Sequence, residues 1–262
     1  MSQSHRQVKK LVAVCGKGGT GKTAITAMMT RLLLESGKAG KLLLIDADPA
    51  MGLPSVLGIR VKRTMGQVRE EIIKTARGSD KEKKDKLNSM LDYMVMEALI
   101  ETDGFALLAM GRTETLGCFC PVNNLLRDAI ETLSENFDTI IIDGEAGLEQ
   151  INRQVMRRLD TLIIVSDATS RGIQTAAQIK KMVEDDRVIQ CKRMGVVFNR
   201  VQGNRELLKQ ASKEIGLKIF GYIPQDDEVA RYDLVGKPLA ELPNSSAALG
   251  AVRTIVANIM VK

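Results

Sequence analysis

The chain of 262 residues has no tryptophan, 3% aromatic residues and one histidine. The dearth of aromatics removes the interleaved stacking side chains that proteins binding single-stranded nucleic acid use. The lone histidine, His5, lies in the polar stretch MSQSHRQVKK, so histidine acid–base chemistry and a His-rich metal tract are excluded. No apolar h-region follows that stretch and no run is long enough to span a bilayer, which predicts a cytoplasmic protein with no membrane partner. Four cysteines, Cys15, Cys118, Cys120 and Cys191, are too few for a disulfide scaffold. An excess of six basic over acidic residues is mild: it suits a polyanionic nucleotide and forms no nucleic-acid patch, because in the charge run Ser79 to Lys86 acids alternate with lysines.

What is present is 44% hydrophobic residues, arranged as short apolar runs that alternate with amphipathic stretches. This rhythm predicts βαβ units around a mostly parallel, twisted sheet of about seven strands with helices on both faces, an α/β fold. The predicted strands are Leu11 to Cys15, Lys41 to Ile45, Phe105 to Met110, Thr139 to Ile142, Thr161 to Val165, Gly195 to Phe198 and Lys218 to Ile223. The expectation is one domain over residues 1–262, with 1–9 as a polar leader. Residues 60–101 are more polar and include that charge run, which is read as a solvated helix face or a loop. Leu249, Val252, Ile255, Val256 and Ile259 recur at helical spacing near the end, predicting an amphipathic helix packed on the sheet.

The strongest local signal is Gly16 to Thr23, GKGGTGKT, between the apolar run ending at Cys15 and the helix-like AITAMMTRLLLESG. Strand, glycine-rich loop and helix in that order form a phosphate-binding P-loop. Gly16, Gly18, Gly19 and Gly21 let the backbone around Thr20 turn its N–H groups inward, and the helix N-terminus from Lys22 to Ala24 adds partial positive charge. Lys22 would neutralise the β- and γ-phosphates, and the Thr23 hydroxyl would ligate Mg²⁺. Two acidic stretches follow apolar runs, Asp46-Ala47-Asp48 and Asp143-Gly144-Glu145, at the sheet edge where ligands of parallel sheets bind. Asp143 is expected to hold Mg²⁺ through water. Asp46 is either a further metal-side carboxylate or a helix cap.

Lys17, a second lysine inside the loop, is either a solvated loop residue or functional. The form KGGxGKT resembles the deviant P-loop of the MinD, ParA and nitrogenase iron protein superfamily of P-loop NTPases. That resemblance implies an ATPase that works as an ATP-dependent homodimer, with Lys17 reaching the partner's nucleotide and Asp48 placing the attacking water beside Lys17 and Lys22. It also implies adenine contacts from Asn199 and Arg200 and from the loop Pro224, Gln225 and Asp226. The GTP-reading NKxD is absent, since Asn199 is followed by Arg-Val-Gln.

Cys118-Phe119-Cys120 gives two thiols that can converge on one soft metal, half of a tetrahedral site, which a two-fold dimer would complete. The residues alone also fit ordinary reduced thiols or a reversible disulfide. Gly111 to Glu114, Gly117 to Cys120, Asn123 to Leu126 and the stretch Asp143 to Arg153 resemble the CooC-type accessory ATPases of carbon monoxide dehydrogenase. That resemblance implies a nickel-insertion metallochaperone with Ni²⁺ or Zn²⁺ between subunits and a carbon monoxide dehydrogenase-like client. An ATP-gated electron donor with a bridging [4Fe–4S] cluster and a partition or positioning ATPase are the competing readings. Thr23-Ala24 departs from the family, where two hydroxyl residues are common. Cys15 and Cys191 match no ligand motif and are read as buried small hydrophobes.

Overall fold

A computed structural model of the chain describes residues 10–77, 81–112, 120–148, 151, 155–185, 189–203 and 205–260. The strands are β1 (Lys10–Cys15), β2 (Leu42–Asp46), β3 (Leu99–Glu101), β4 (Phe105–Ala109), β5 (Thr139–Asp143), β6 (Arg158–Ser166), β7 (Gln190–Val201) and β8 (Lys218–Pro224). They form one sheet in the order β3-β4-β2-β5-β1-β6-β7-β8, in which every neighbouring pair is parallel except β3 with β4. The helices are α1 (Lys22–Ser36), α2 (Gly52–Val56), α3 (Met65–Arg77), α4 (Lys81–Ala98), α5 (Cys120–Ser134), α6 (Ser170–Glu184), α7 (Arg205–Glu214), α8 (Asp227–Leu234) and α9 (Ala247–Met260).

Central strands such as LLLID and TIIID are buried along their whole length, as a sheet covered on both faces requires. Period-two alternation splits each strand between two cores. In β1, Leu11, Ala13 and Cys15 face a core shared with α3, α4, α5 and α6, whereas Val12 and Val14 face one shared with α1 and α9. Helix α9 buries Leu249, Val252, Ile255, Val256 and Ile259, the residues of the predicted apolar stripe, and packs on β8 and α1. Among the described residues no helix is long and apolar enough to cross a membrane.

All seven predicted strands are present, and the eighth, β3, is an addition. It pairs antiparallel with β4 through a tight turn at Asp103-Gly104, where the Thr102 hydroxyl donates to the Phe105 carbonyl at 2.7 Å. Of the two readings of the charged segment, the helix is the one present: α4 begins at Lys81, and α3 precedes it. Thr64 and Gln67 form a reciprocal cap on α3: the Gln67 N–H donates to the Thr64 hydroxyl at 3.2 Å, and the Thr64 N–H to the Gln67 side chain at 2.9 Å. Cys15 is fully buried, and burial pushes its thiol up to about 12, so it is an inert core group. Cys191 is only half-buried on β7, where its thiol donates to the Arg193 carbonyl at 3.1 Å. It lies near the start of the strand, outside the fully buried stretch from Gly195 to Asn199.

Candidate nucleotide site

The loop between β1 and α1 is forced into shape by its neighbours. Gly16 has φ 138°, and a Cβ there would stand 2.1 Å from the Val165 carbonyl oxygen of β6, so only glycine fits. Gly21, at φ 88°, precedes α1 in the left-handed region, and no side chain caps the helix. The first N–H groups of α1 are therefore left for a ligand, the arrangement that favours an anion at a helix N-terminus. Thr20 is buried and its hydroxyl donates to the Lys17 carbonyl at 2.8 Å, which pins the middle of the loop. The Lys22 ammonium lies 3.4 Å from the same carbonyl, folded back over the loop.

An open cavity of about 910 Å³ runs from this loop to α8 and α9. Gly18, Gly19, Gly21, Lys22, Thr23 and Ala24 line one end, with Asp48, Glu145 and Ala146 beside them. Asn199, Arg200, Pro224, Gln225 and Asp226 line the other end, together with Val229, Ala230, Asp233, Leu234, Leu239 and Ala248. The sequence-derived phosphate and adenine groups thus share one cavity.

Gly16, Lys17, Thr20, Asp46 and Asp143 do not line it. Lys17 turns to Asp167, just past β6, with its ammonium 3.2 Å from Oδ2. Asn199 is almost buried; its amide donates to the Thr20 carbonyl at 2.7 Å and its Oδ1 accepts from the Arg200 N–H at 2.9 Å. It therefore braces the loop from the base side. Arg200 has φ 56°, uncommon for a non-glycine residue, and its guanidinium donates to the Gly19 carbonyl at 3.3 Å.

The two strand-end acids sit behind the cavity wall. Asp46 is fully buried, and its carboxylate accepts the N–H groups of Asp48 and Leu53, each at 3.0 Å. It organises the turn that carries Asp48 and ties down the start of α2. Burial, then the neighbouring Asp143 charge, push its pKa up to about 7. Asp143 is also buried, with the Thr26 hydroxyl of α1 at 3.0 Å from Oδ1. Burial pushes its pKa up to about 6 against the opposing Thr23 and Thr26 hydroxyls and the Lys22 charge. Its Oδ2 is buried with no hydrogen-bond partner. Asp48 is half-buried at the cavity wall, its Oδ1 accepting from the Ala50 N–H at 2.8 Å.

Asp226 joins two helices at the base end. Its Oδ1 accepts from the Glu228 N–H at 2.9 Å, capping α8, while its Oδ2 accepts from the Ser246 hydroxyl at 2.7 Å and the Ala248 N–H at 2.9 Å. Partial burial works to raise its pKa, and these donors outweigh that, leaving it below the usual carboxylate range.

Across this geometry, the profile of the CobQ/CobB/MinD/ParA nucleotide binding domain matches residues 11–239. The chain belongs to that family. It is a P-loop ATPase of the MinD/ParA type. It is 39% identical to an uncharacterized ATP-binding protein of Methanocaldococcus jannaschii, over 96% of this chain and 99% of that one. It is 29% identical to the carbon monoxide dehydrogenase accessory protein CooC of Rhodospirillum rubrum, over 86% and 87%. Its fold matches the septum site-determining protein MinD of Pyrococcus horikoshii, solved with Mg-ADP, with TM-score 0.69 at 21% identity over 96% of each chain.

Two residues that the sequence analysis passed over belong to this MinD/ParA-type site. Thr26 holds Asp143, and its position one turn after Lys22, on the same helix face, was the available signal. Asp167 follows a parallel strand at the same sheet edge as Asp46 and Asp143, so the rule that found those acids also applies to it. The apolar base-end residues of α8 and α9 carried no signal. The metal expectation at Cys118 and Cys120 lies outside the described residues, except that the backbone of Cys120 opens α5. Among the described residues, no three His, Cys, Asp or Glu side chains are grouped to hold a metal.

Proposed function

We propose that this ATPase is a nucleotide-switched homodimer that acts as a metallochaperone, delivering a soft divalent metal, nickel in the first place, to a carbon monoxide dehydrogenase-type client. The reading is carried by the Cys118-Phe119-Cys120 pair in a chain that shares 29% identity with CooC across most of both proteins. Two thiolates from each subunit would complete a tetrahedral site at the dimer axis.

ATP hydrolysis requires orientation and charge neutralisation more than covalent chemistry. In this proposal the N–H groups of the loop and the start of α1 cradle the β- and γ-phosphates and Lys22 neutralises them. Lys17 serves the partner's nucleotide, and Asp48, half-buried at the cavity wall, orients the attacking water. Asn199, Arg200, Pro224, Gln225 and Asp226 surround the adenine. Mg²⁺ fits the donors present: the Thr23 hydroxyl and Asp143, whose buried Oδ2 lacks a partner, are hard oxygens. Bound there, it would offset phosphate charge. Asp46, with both oxygens accepting backbone N–H groups, supports the Asp48 turn.

The test is metal content. Purified anaerobically with ATP and Mg²⁺, the protein is expected to bind about one Ni²⁺ or Zn²⁺ per dimer, and Cys118→Ala/Cys120→Ala to bind none. Full occupancy in the double variant would overturn the reading. Iron with acid-labile sulfide in the wild type would replace it with the electron-donor alternative.

A further inference from the structure

Lys17 is the one lysine of the phosphate loop that does not face its own cavity, and the sheet explains where it goes. Cys15 of β1 lies in register with Ile164 of β6, and Gly16 packs directly on the Val165 carbonyl. Lys17 and Asp167 therefore rise from the same patch of sheet edge, two residues past Cys15 and three past Ile164. Their ion pair at 3.2 Å follows from the ladder and not from a chance loop approach. Asp167 is held for this contact. Its Oδ1 accepts the Thr169 hydroxyl at 2.5 Å, leaving Oδ2 for the lysine. Gly172 in the first turn of α6 packs so close that a Cβ there would stand 2.2 Å from Oδ1. Both partners keep about a third of their side-chain surface exposed, at 34% and 31%, so the pair is reachable and exchangeable.

We propose that Asp167 is a positioning residue for ATP-driven dimerisation: it holds Lys17 away from this chain's own cavity until a triphosphate on a second subunit displaces the carboxylate. The inference rests on the homodimer reading above. A half-exposed carboxylate competes weakly, because water screens it and ordering a lysine costs side-chain entropy. A triphosphate carries more charge and offers several acceptor oxygens. A nucleoside diphosphate lacks the terminal group that Lys17 would have to reach, so the pair would persist with ADP and help set the triphosphate requirement.

The full chain is titrated with a non-hydrolysable ATP analogue and Mg²⁺, and dimer formation is followed by sedimentation velocity. Asp167→Asn keeps the acceptor for Thr169 and removes the charge, so the analogue concentration at half-dimerisation is expected to fall by about two- to fivefold. Asp167→Glu, which keeps the charge, should remain nearer the wild type. Lys192→Ala removes the exposed pair with Asp160 (2.7 Å) and should leave the midpoint in place. A lower melting temperature for Asp167→Asn with an unchanged or higher midpoint would overturn the inference, leaving a structural role. A wild-type chain that stays monomeric at saturating analogue would instead remove the homodimer reading, and this inference with it.

Discussion

At the phosphate end of the cavity the ligand-facing groups belong to main chain held between β1, β6 and α1, and the acids behind them are buried. At the base end they are side chains of α8, α9 and the ends of β7 and β8, and several are exposed: Leu234, on the cavity rim, is 86% accessible. The first end is locked at Gly16, where a single methyl collides with β6, although a Cβ at Gly18 would meet nothing. The second is a capped pair of helices whose apolar residues need only be roughly the right size. The contrast teaches that the glycine-rich loop is part of the packing of this fold, whereas the opposite wall of the cavity is attached to it. Changes should therefore cost most at the first end, and the largest effect is expected at Gly16.

Gly16→Ala should destabilise the chain by more than ~3 kcal/mol and abolish ATP binding, because the clash is with backbone that cannot move aside. Thermal denaturation and nucleotide titration check this; near-native affinity would break the contrast. Asp226→Ala should cost ~1–3 kcal/mol, as three donors at two helix starts lose their acceptor, and should weaken ATP binding without ending it. Its pH signature has a defined sign. A carboxylate held below its ordinary value contributes its full stability above the unfolded value of about 4, and loses it as pH falls through the lowered native value. The stability gap between wild type and variant should therefore close in acid, as read by denaturant unfolding across pH. Leu234→Ser should be the mildest, within ~0.5 kcal/mol in stability, since the side chain is already exposed. A loss of ATP affinity comparable to that of Gly16→Ala would show that the rim is as constrained as the loop.

The same contrast governs what the sequence disclosed. Glycines at fixed spacing, paired lysines and strand-end acids are written into the residue types because the chemistry admits few substitutes. Lys22, Thr23 and Asp48 were accordingly singled out from sequence, and they line one cavity. Val229, Ala230 and Ala248 look like any helix residues, and only the tertiary fold brings them to one cavity. Asn199 was read as an adenine contact; the geometry shows its amide donating to the Thr20 carbonyl, a partner that no spacing rule connects across 179 residues. β3 is too short and too polar at Glu101 for an alternation pattern, although Asp103-Gly104 was a hairpin signal that could have been weighed. In residues 60–101 the charge run left helix and loop both open at α4, while Thr64 and Gln67 already spelled the start of α3.

Asp46 of β2 and Asp143 of β5 are direct partners in the parallel ladder. Their separation is thus set by the interstrand spacing of a sheet, about 4.8 Å, and not by any loop. The two acids form a fixed gauge that insertions elsewhere in the chain leave untouched. A one-residue slip of either strand would instead send one carboxylate to the opposite face of the sheet. Variation in the segment between the two strands, from Ala47 to Asp138, can then alter what the protein meets without resetting the distance at which its acids stand.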